Sequence, residues 1–135
     1  MWFTRDQFAL CSRLRELGLE PRFEVGDLVA RGFADLGFEE FQVLPGPRLL
    51  SLTAGTVKPL PEDHRHYFFW IPSIDELIGI VEARGGMVAE CAREDQREWR
   101  VALHNNIGDQ IVVCARSLHE AFLRAVVDVL SPGEV

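Results

Sequence analysis

An α+β fold with antiparallel strands is what this sequence predicts, and three features carry that expectation. Amphipathic stretches of helical period open the chain and return at residues 73–84 and 118–130. Each is preceded by a Ser or Thr with Glu or Gln three residues on: Thr4 with Gln7, Ser73 with Glu76, Ser117 with Glu120. That spacing is a capping box, in which the hydroxyl takes one orphan backbone N–H and the longer side chain reaches back for another. Between the helices, short apolar runs are cut by Gly, Pro and Asn, as in hairpin-connected strands. The expected layout is a single compact domain over residues 1–135. It divides into 1–71, a helix plus irregular β structure, and 72–131, in α-β-β-β-α order.

In the first helix Phe8, Cys11, Leu14 and Leu17 share a face. Phe3 and Phe8 stand where a hydrophobic staple would sit, and Gly18 is placed to end the helix in a left-handed conformation. Residues 25–30 read as a turn entering a strand and 40–44 as a second strand, with Gly32, Asp35 and Gly37 as turn chemistry between them. Pro45-Gly46-Pro47 stops the second strand, and residues 49–57 read as a third, weakened by Gly55. Lys58-Pro59-Leu60-Pro61 reads as an extended connector. Residues 64–71 read as a strand, apolar on both faces from Tyr67 onward and hence central in a sheet or part of an interface.

After Pro72, the helix over 73–84 buries Ile74, Leu77, Ile78 and Val81 and ends at Gly85-Gly86. Its interior Gly79 is unfavourable by about 1 kcal/mol relative to Ala unless a neighbouring backbone packs there. Strands follow at 87–92 and 99–103, then, after the turn at Asn105–Asp109, at 111–115. The last of these is apolar on both faces and is expected to be central. In the final helix Leu118, Ala121, Phe122, Ala125, Val126, Val129 and Leu130 form one stripe, ended by Ser131-Pro132-Gly133.

Net charge is -7 and spread along the chain: 8 basic against 10 acidic residues over 1–72, and 6 against 10 over 73–130. Neither half is the basic surface that a phosphate backbone needs. Thirteen of the 14 basic residues are Arg, and Lys58 is the sole lysine. Cys11, Cys91 and Cys114 are odd in number, widely spaced and set in apolar periodic segments, and they read as buried free thiols in a reducing compartment. Neither a signal-peptide pattern nor a run of about 20 apolar residues appears, so a cytoplasmic location is expected.

The densest polar cluster is Glu62-Asp63-His64-Arg65-His66. In a strand His64 and His66 would project from one face, and two imidazoles with a carboxylate could begin a metal site. A further ligand would come from Asp27, His104 or His119, none fixed by spacing. Tyr67, Phe69 and Trp70 are candidate interaction residues, since an aromatic run without interleaved Lys or Arg suits a core or an interface better than base stacking. The acidic pairs Glu39-Glu40 and Glu94-Asp95 read as solvated turns. No nucleophile-elbow or phosphate-loop pattern occurs.

Ala115-Arg116-Ser117-Leu118-His119-Glu120-Ala121 resembles the start of the last helix of double-stranded-RNA-binding domains. Where that family uses paired lysines, this chain has Leu118 and His119, so the resemblance is one of element order. The helix over 74–84, the strand Trp99-Arg100-Val101-Ala102-Leu103 and the Ala115-Arg116-Ser117 lead are similar to an α-β-β-β-α sandwich domain of hypothetical phage and prophage proteins, over about 72–131. That family implies a fold and brings no catalytic residues with it. The expected function is therefore a small, phage-like accessory or protein-interaction module that associates with itself or another protein, without catalytic site or cofactor. A metal-dependent enzyme using His64 and His66 is the first alternative, and a nucleic-acid-binding protein the second.

Overall fold

The structure, a computed structural model, describes residues 2–33 and 37–131 of the 135-residue chain, leaving aside the side chain of residue 33. Asp35 and the Pro132-Gly133 pair, expected as turn and stop, lie outside the described residues. The fold is α+β, and the chain divides into two compact units, Met1–Pro72 and Ser73–Val135.

The N-terminal unit opens with α1 (Arg5–Glu16), where Thr4 and Gln7 form the full reciprocal capping box. Phe3 meets Phe8 edge-on at 6.1 Å between ring centroids, the expected staple. At the other end Gly18, at φ 103, donates to the Arg15 carbonyl while Leu19 donates to that of Leu14. These two bonds make a Schellman motif and satisfy the last carbonyls of the helix.

The strands β1 (Leu28–Phe33), β2 (Gly37–Leu44), β3 (Arg48–Ser51), β4 (Val57–Pro59) and β5 (Phe69–Ile71) form one antiparallel sheet in the order β4-β3-β2-β1-β5. Residues 49–57 were expected to form one strand but form two half-strands with a turn between. Ser51 Oγ accepts the Ala54 N–H there, and the Gly55 N–H bonds the Ser51 carbonyl. The expected strand over 64–71 is corrected as well. Pro61 caps a 3₁₀ helix over Glu62–Tyr67, and only Phe69–Ile71 is extended. Acidic Glu62 and Asp63 in its first turn and Arg65 and His66 in its last complement the helix dipole.

Register assigns the faces of this sheet. Ala30, Glu40 and Phe69 form one row, and Val29, Phe41 and Trp70 form the next, on the opposite face. Helix α1 lies against β5 and β2. Its Phe8 stacks on Phe38 at 4.7 Å and meets Phe69 edge-on at 6.4 Å. Opposite, Val29, Phe41, Val43, Leu49, Leu60 and Phe68 form a buried cluster. Strand β5 is buried on both faces although it is an edge strand, with α1 against its Phe69 side and the Arg22 guanidinium 5.0 Å over Trp70 on the other.

In the C-terminal unit, Ser73 caps α2 (Ile74–Ala83) with the complete box, and Gly85 and Gly86 close it with a second Schellman motif onto Glu82 and Val81. Leu77 and Val81 are fully buried, while Ile74 and Ile78 are only partly so. Strands β6 (Met87–Arg93), β7 (Trp99–His104) and β8 (Gln110–Ala115) make a separate antiparallel sheet in the order β6-β7-β8, with a bulge between Val88 and Glu90. Residues 111–115 were expected to be central; instead β7 is central and β8 is an edge, with Val112 46% exposed. Helix α3 (Leu118–Leu130) packs on β7, β8 and α2, burying Ala121, Phe122, Leu123, Ala125 and Val126. Its cap is half a box. Ser117 Oγ accepts the Glu120 N–H, but the Glu120 carboxylate turns to Arg124 at 3.6 Å.

Candidate functional site

Beside the buried cluster of the N-terminal unit lies an open pocket of about 320 Å³. Arg31 from β1, Leu49 from β3, Lys58 from β4, Leu60, His64 from the 3₁₀ helix and Phe68 line it, with two prolines, Pro59 and Pro61. Each reaches it through local geometry. Arg31 follows Val29 by two on β1, so both side chains leave the sheet on the same face. Lys58 pairs with Leu49 across the β3–β4 ladder and shares its face. The Pro61-capped helical turn carries His64 to the pocket wall.

The charges are arranged over aromatic rings. The Lys58 ammonium lies 4.5 Å from the centre of the buried Phe41 ring, and the Arg31 guanidinium lies 5.5 Å from it and 5.7 Å from that of Phe68. Cations in this position interact with the negative ring face. Glu39, opposite Arg31 on β2, lies 3.7 Å from its guanidinium and accepts a 3.1 Å hydrogen bond from the Ser51 hydroxyl. Lys58 has no ion pair among the described residues. Partial burial, and then the positive field of Arg31, lower its pKa from the usual 10.5; Glu39 opposes the shift. The site therefore holds one lysine whose charge is under-compensated, set against an apolar floor.

The structure separates most of the residues singled out from sequence. In a 3₁₀ helix of three residues per turn, positions two apart point in different directions. His64 and His66 accordingly do not share a face as a strand would have placed them. The His66 ring lies 4.0 Å from that of Tyr67, and its carbonyl accepts a bond from Arg15. Asp27 accepts the Glu24 N–H at 3.1 Å and lies 3.8 Å from Arg22, while His104 and His119 belong to the C-terminal unit. Among the described residues no group of three His, Cys, Asp or Glu side chains converges on a common point. Of the aromatic candidates Tyr67 is exposed, whereas Phe69 and Trp70 are buried, Trp70 beneath the Arg22 guanidinium at 5.0 Å.

Glu39 and Glu40 are not a solvated turn. Both lie in β2 on opposite faces, and Glu40 is completely buried, with its Oε1 accepting the Trp2 backbone N–H. The Trp2 indole N–H in turn bonds the Leu52 carbonyl at 3.1 Å, so the chain start is pinned to the sheet. The sequence did not join Arg31, Glu39 and Lys58 into a site, and Glu39 read only as part of a solvated acidic pair, because the three come from separate strands brought together by the ladder. The one signal was that Lys58 is the sole lysine in an Arg-rich chain.

No family model, curated protein or solved structure matches the chain. No helix among the described residues is long and apolar enough to cross a membrane.

Proposed function

We propose that this chain is a small cytoplasmic binding module whose N-terminal unit holds a small organic ligand in the pocket between β3, β4 and the 3₁₀ helix. The observation that carries this reading is the meeting of Arg31 and Lys58 with an apolar floor of Leu49, Leu60 and Phe68 in one open cavity. Concave, mostly apolar sites with a few convergent polar groups are the usual form of small-molecule sites. The volume stands near the lower end of the roughly 300–1,000 Å³ range such sites span. A fragment screen followed by backbone amide NMR tests it: ligands should shift the amides of Leu49, Leu60 and Phe68. A screen whose hits all shift residues elsewhere would end this reading.

A second reading, self-association through β8, is favoured by a separate observation. The edge strands of the N-terminal sheet are three residues long, and β4 carries Lys58 and Pro59, which blunt an edge against pairing. On the other sheet β6 is interrupted by a bulge and carries Glu90 and Arg93. Strand β8 (Gln-Ile-Val-Val-Cys-Ala) is six residues long, uncharged and free of proline, and it pairs only with β7 among the described residues. A second copy related by a two-fold axis would continue the sheet through this edge. Light scattering on a size-exclusion eluate checks this; a monomer at high micromolar concentration counts against it. The phage-like accessory role remains part of the proposal as its biological setting, resting on the resemblance of residues 72–131.

A further inference from the structure

We propose that the pocket of the N-terminal unit takes a small monocarboxylate with an apolar body, the carboxylate held by Lys58 and Arg31 and the body lying against Leu49, Leu60 and Phe68. This rests on the reading of that pocket as a ligand site and adds the chemical class of the ligand.

Charge sets the first constraint. Arg31 already lies 3.7 Å from Glu39, whereas Lys58 has no ion pair among the described residues. The uncompensated positive charge at the pocket is that of Lys58, and a single carboxylate neutralises it. A phosphate dianion would overshoot it, in a chain already at net -7. The 3₁₀ helix that brings His64 to the wall also carries Glu62 and Asp63 in its first turn, and these would repel a second negative charge.

Donor chemistry sets the second. A guanidinium presents a planar fork that matches a carboxylate, and an ammonium adds a compact point charge. Two cations over the shared Phe41 ring repel one another, and an anion between them removes that repulsion.

The lining sets the third. Leu49, Leu60 and Phe68 and the two prolines offer no side-chain donors or acceptors, so a sugar-like body would leave its hydroxyls unpaired. An aliphatic or aromatic body loses nothing there and gains from its removal from water.

The test is titration calorimetry on the full chain with four probes: 3-phenylpropionate, its neutral amide, 3-phenylpropyl phosphate and acetate. The phenyl acid should bind, with the amide weaker by about tenfold or more, the scale of one charge-assisted hydrogen bond; acetate should be weaker by at least as much for want of the apolar body, and the phosphate weaker through its second negative charge. Lys58→Met should weaken the acid by about tenfold and Lys58→Arg should largely restore it. Equal binding of acid and amide would overturn the carboxylate assignment while leaving the pocket a ligand site. Tighter binding of the phosphate, or affinity untouched by Lys58→Met, would overturn it also. If no probe binds at millimolar concentration, the assignment and the ligand-site reading fall together.

Discussion

Lys58 and Cys11 show how the same chain handles two titratable side chains of opposite type. Lys58 has a lowered pKa, so its charged form is disfavoured in the folded protein and its contribution to stability rises with pH, from that lowered value up to the unfolded 10.5. The groups that face it are Arg31 on β1, Glu39 on β2 and His64 on the 3₁₀ helix. Carboxylate affinity should be level near neutrality and fall in the alkaline range before pH 10.5. Lys58→Arg should keep it level throughout, which calorimetry at successive pH values would read. Burial pushes the Cys11 thiol up to about 12, so it stays neutral in the fold when an unfolded thiol would ionise near 9. A thiolate is the reactive form, and Cys91 and Cys114 are exposed. A disulfide-exchange reagent at pH 8 should therefore titrate two thiols quickly and the third only in denaturant; three fast thiols would contradict the burial of Cys11. Sequence placed Cys11 on the buried face of α1 through its spacing with Phe8 and Leu14. Cys91 and Cys114, expected to be buried as well, are exposed because β6 and β8 are edge strands, and which strand becomes central is decided by the tertiary fold.

At the scale of elements, the helix ends were legible because capping is local chemistry. Thr4 with Gln7 and Ser73 with Glu76 form both bonds of the box, and Gly18 and Gly85 adopt the left-handed conformation required of them. At α3 only the Ser117 bond forms, because Glu120 is nearly buried and pairs with Arg124. Ser117→Ala should cost about 1 kcal/mol of stability, the usual value of an N-cap. Glu120→Gln should leave that cap intact, and denaturant unfolding would separate the two. The glycines of and after α2 should behave in opposite ways. A Cβ at the exposed Gly79 meets nothing within 4 Å, so Gly79→Ala should stabilise by about 0.5–1 kcal/mol. A Cβ at Gly86 would come 2.5 Å from the His104 carbonyl oxygen and 3.0 Å from Val81, so Gly86→Ala should destabilise by about 1–3 kcal/mol. The 3₁₀ helix at Glu62–Tyr67 was missed because its aromatic continuation suggested a strand. Pro61 followed by two acids and then basic residues was the available signal.

For the whole molecule, the two sheets differ in how their edges are managed, and this carries the remaining prediction. Val112→Lys, near the middle of β8, would place like charges close together across any two-fold β8–β8 junction. If the protein is dimeric through that edge, the substitution should give a monomer of unchanged helix content by circular dichroism. A dimer that persists would mean that β8 is not the junction.

By itself the sequence determined the α+β class, the three helices with their N-cap hydroxyls and the α-β-β-β-α order of the second half. All of these rest on periodicities and capping contacts within a few residues of one another. Tertiary structure alone decided strand order, and with it the status of residues 111–115, which read as central and lie at an edge, and of residues 69–71, which read as central or part of an interface and form an edge strand. It also decided the pocket. Arg31, Glu39, Lys58 and His64 span more than thirty residues of chain, and only the hydrogen-bonded ladder and one turn of 3₁₀ helix bring them to the same face.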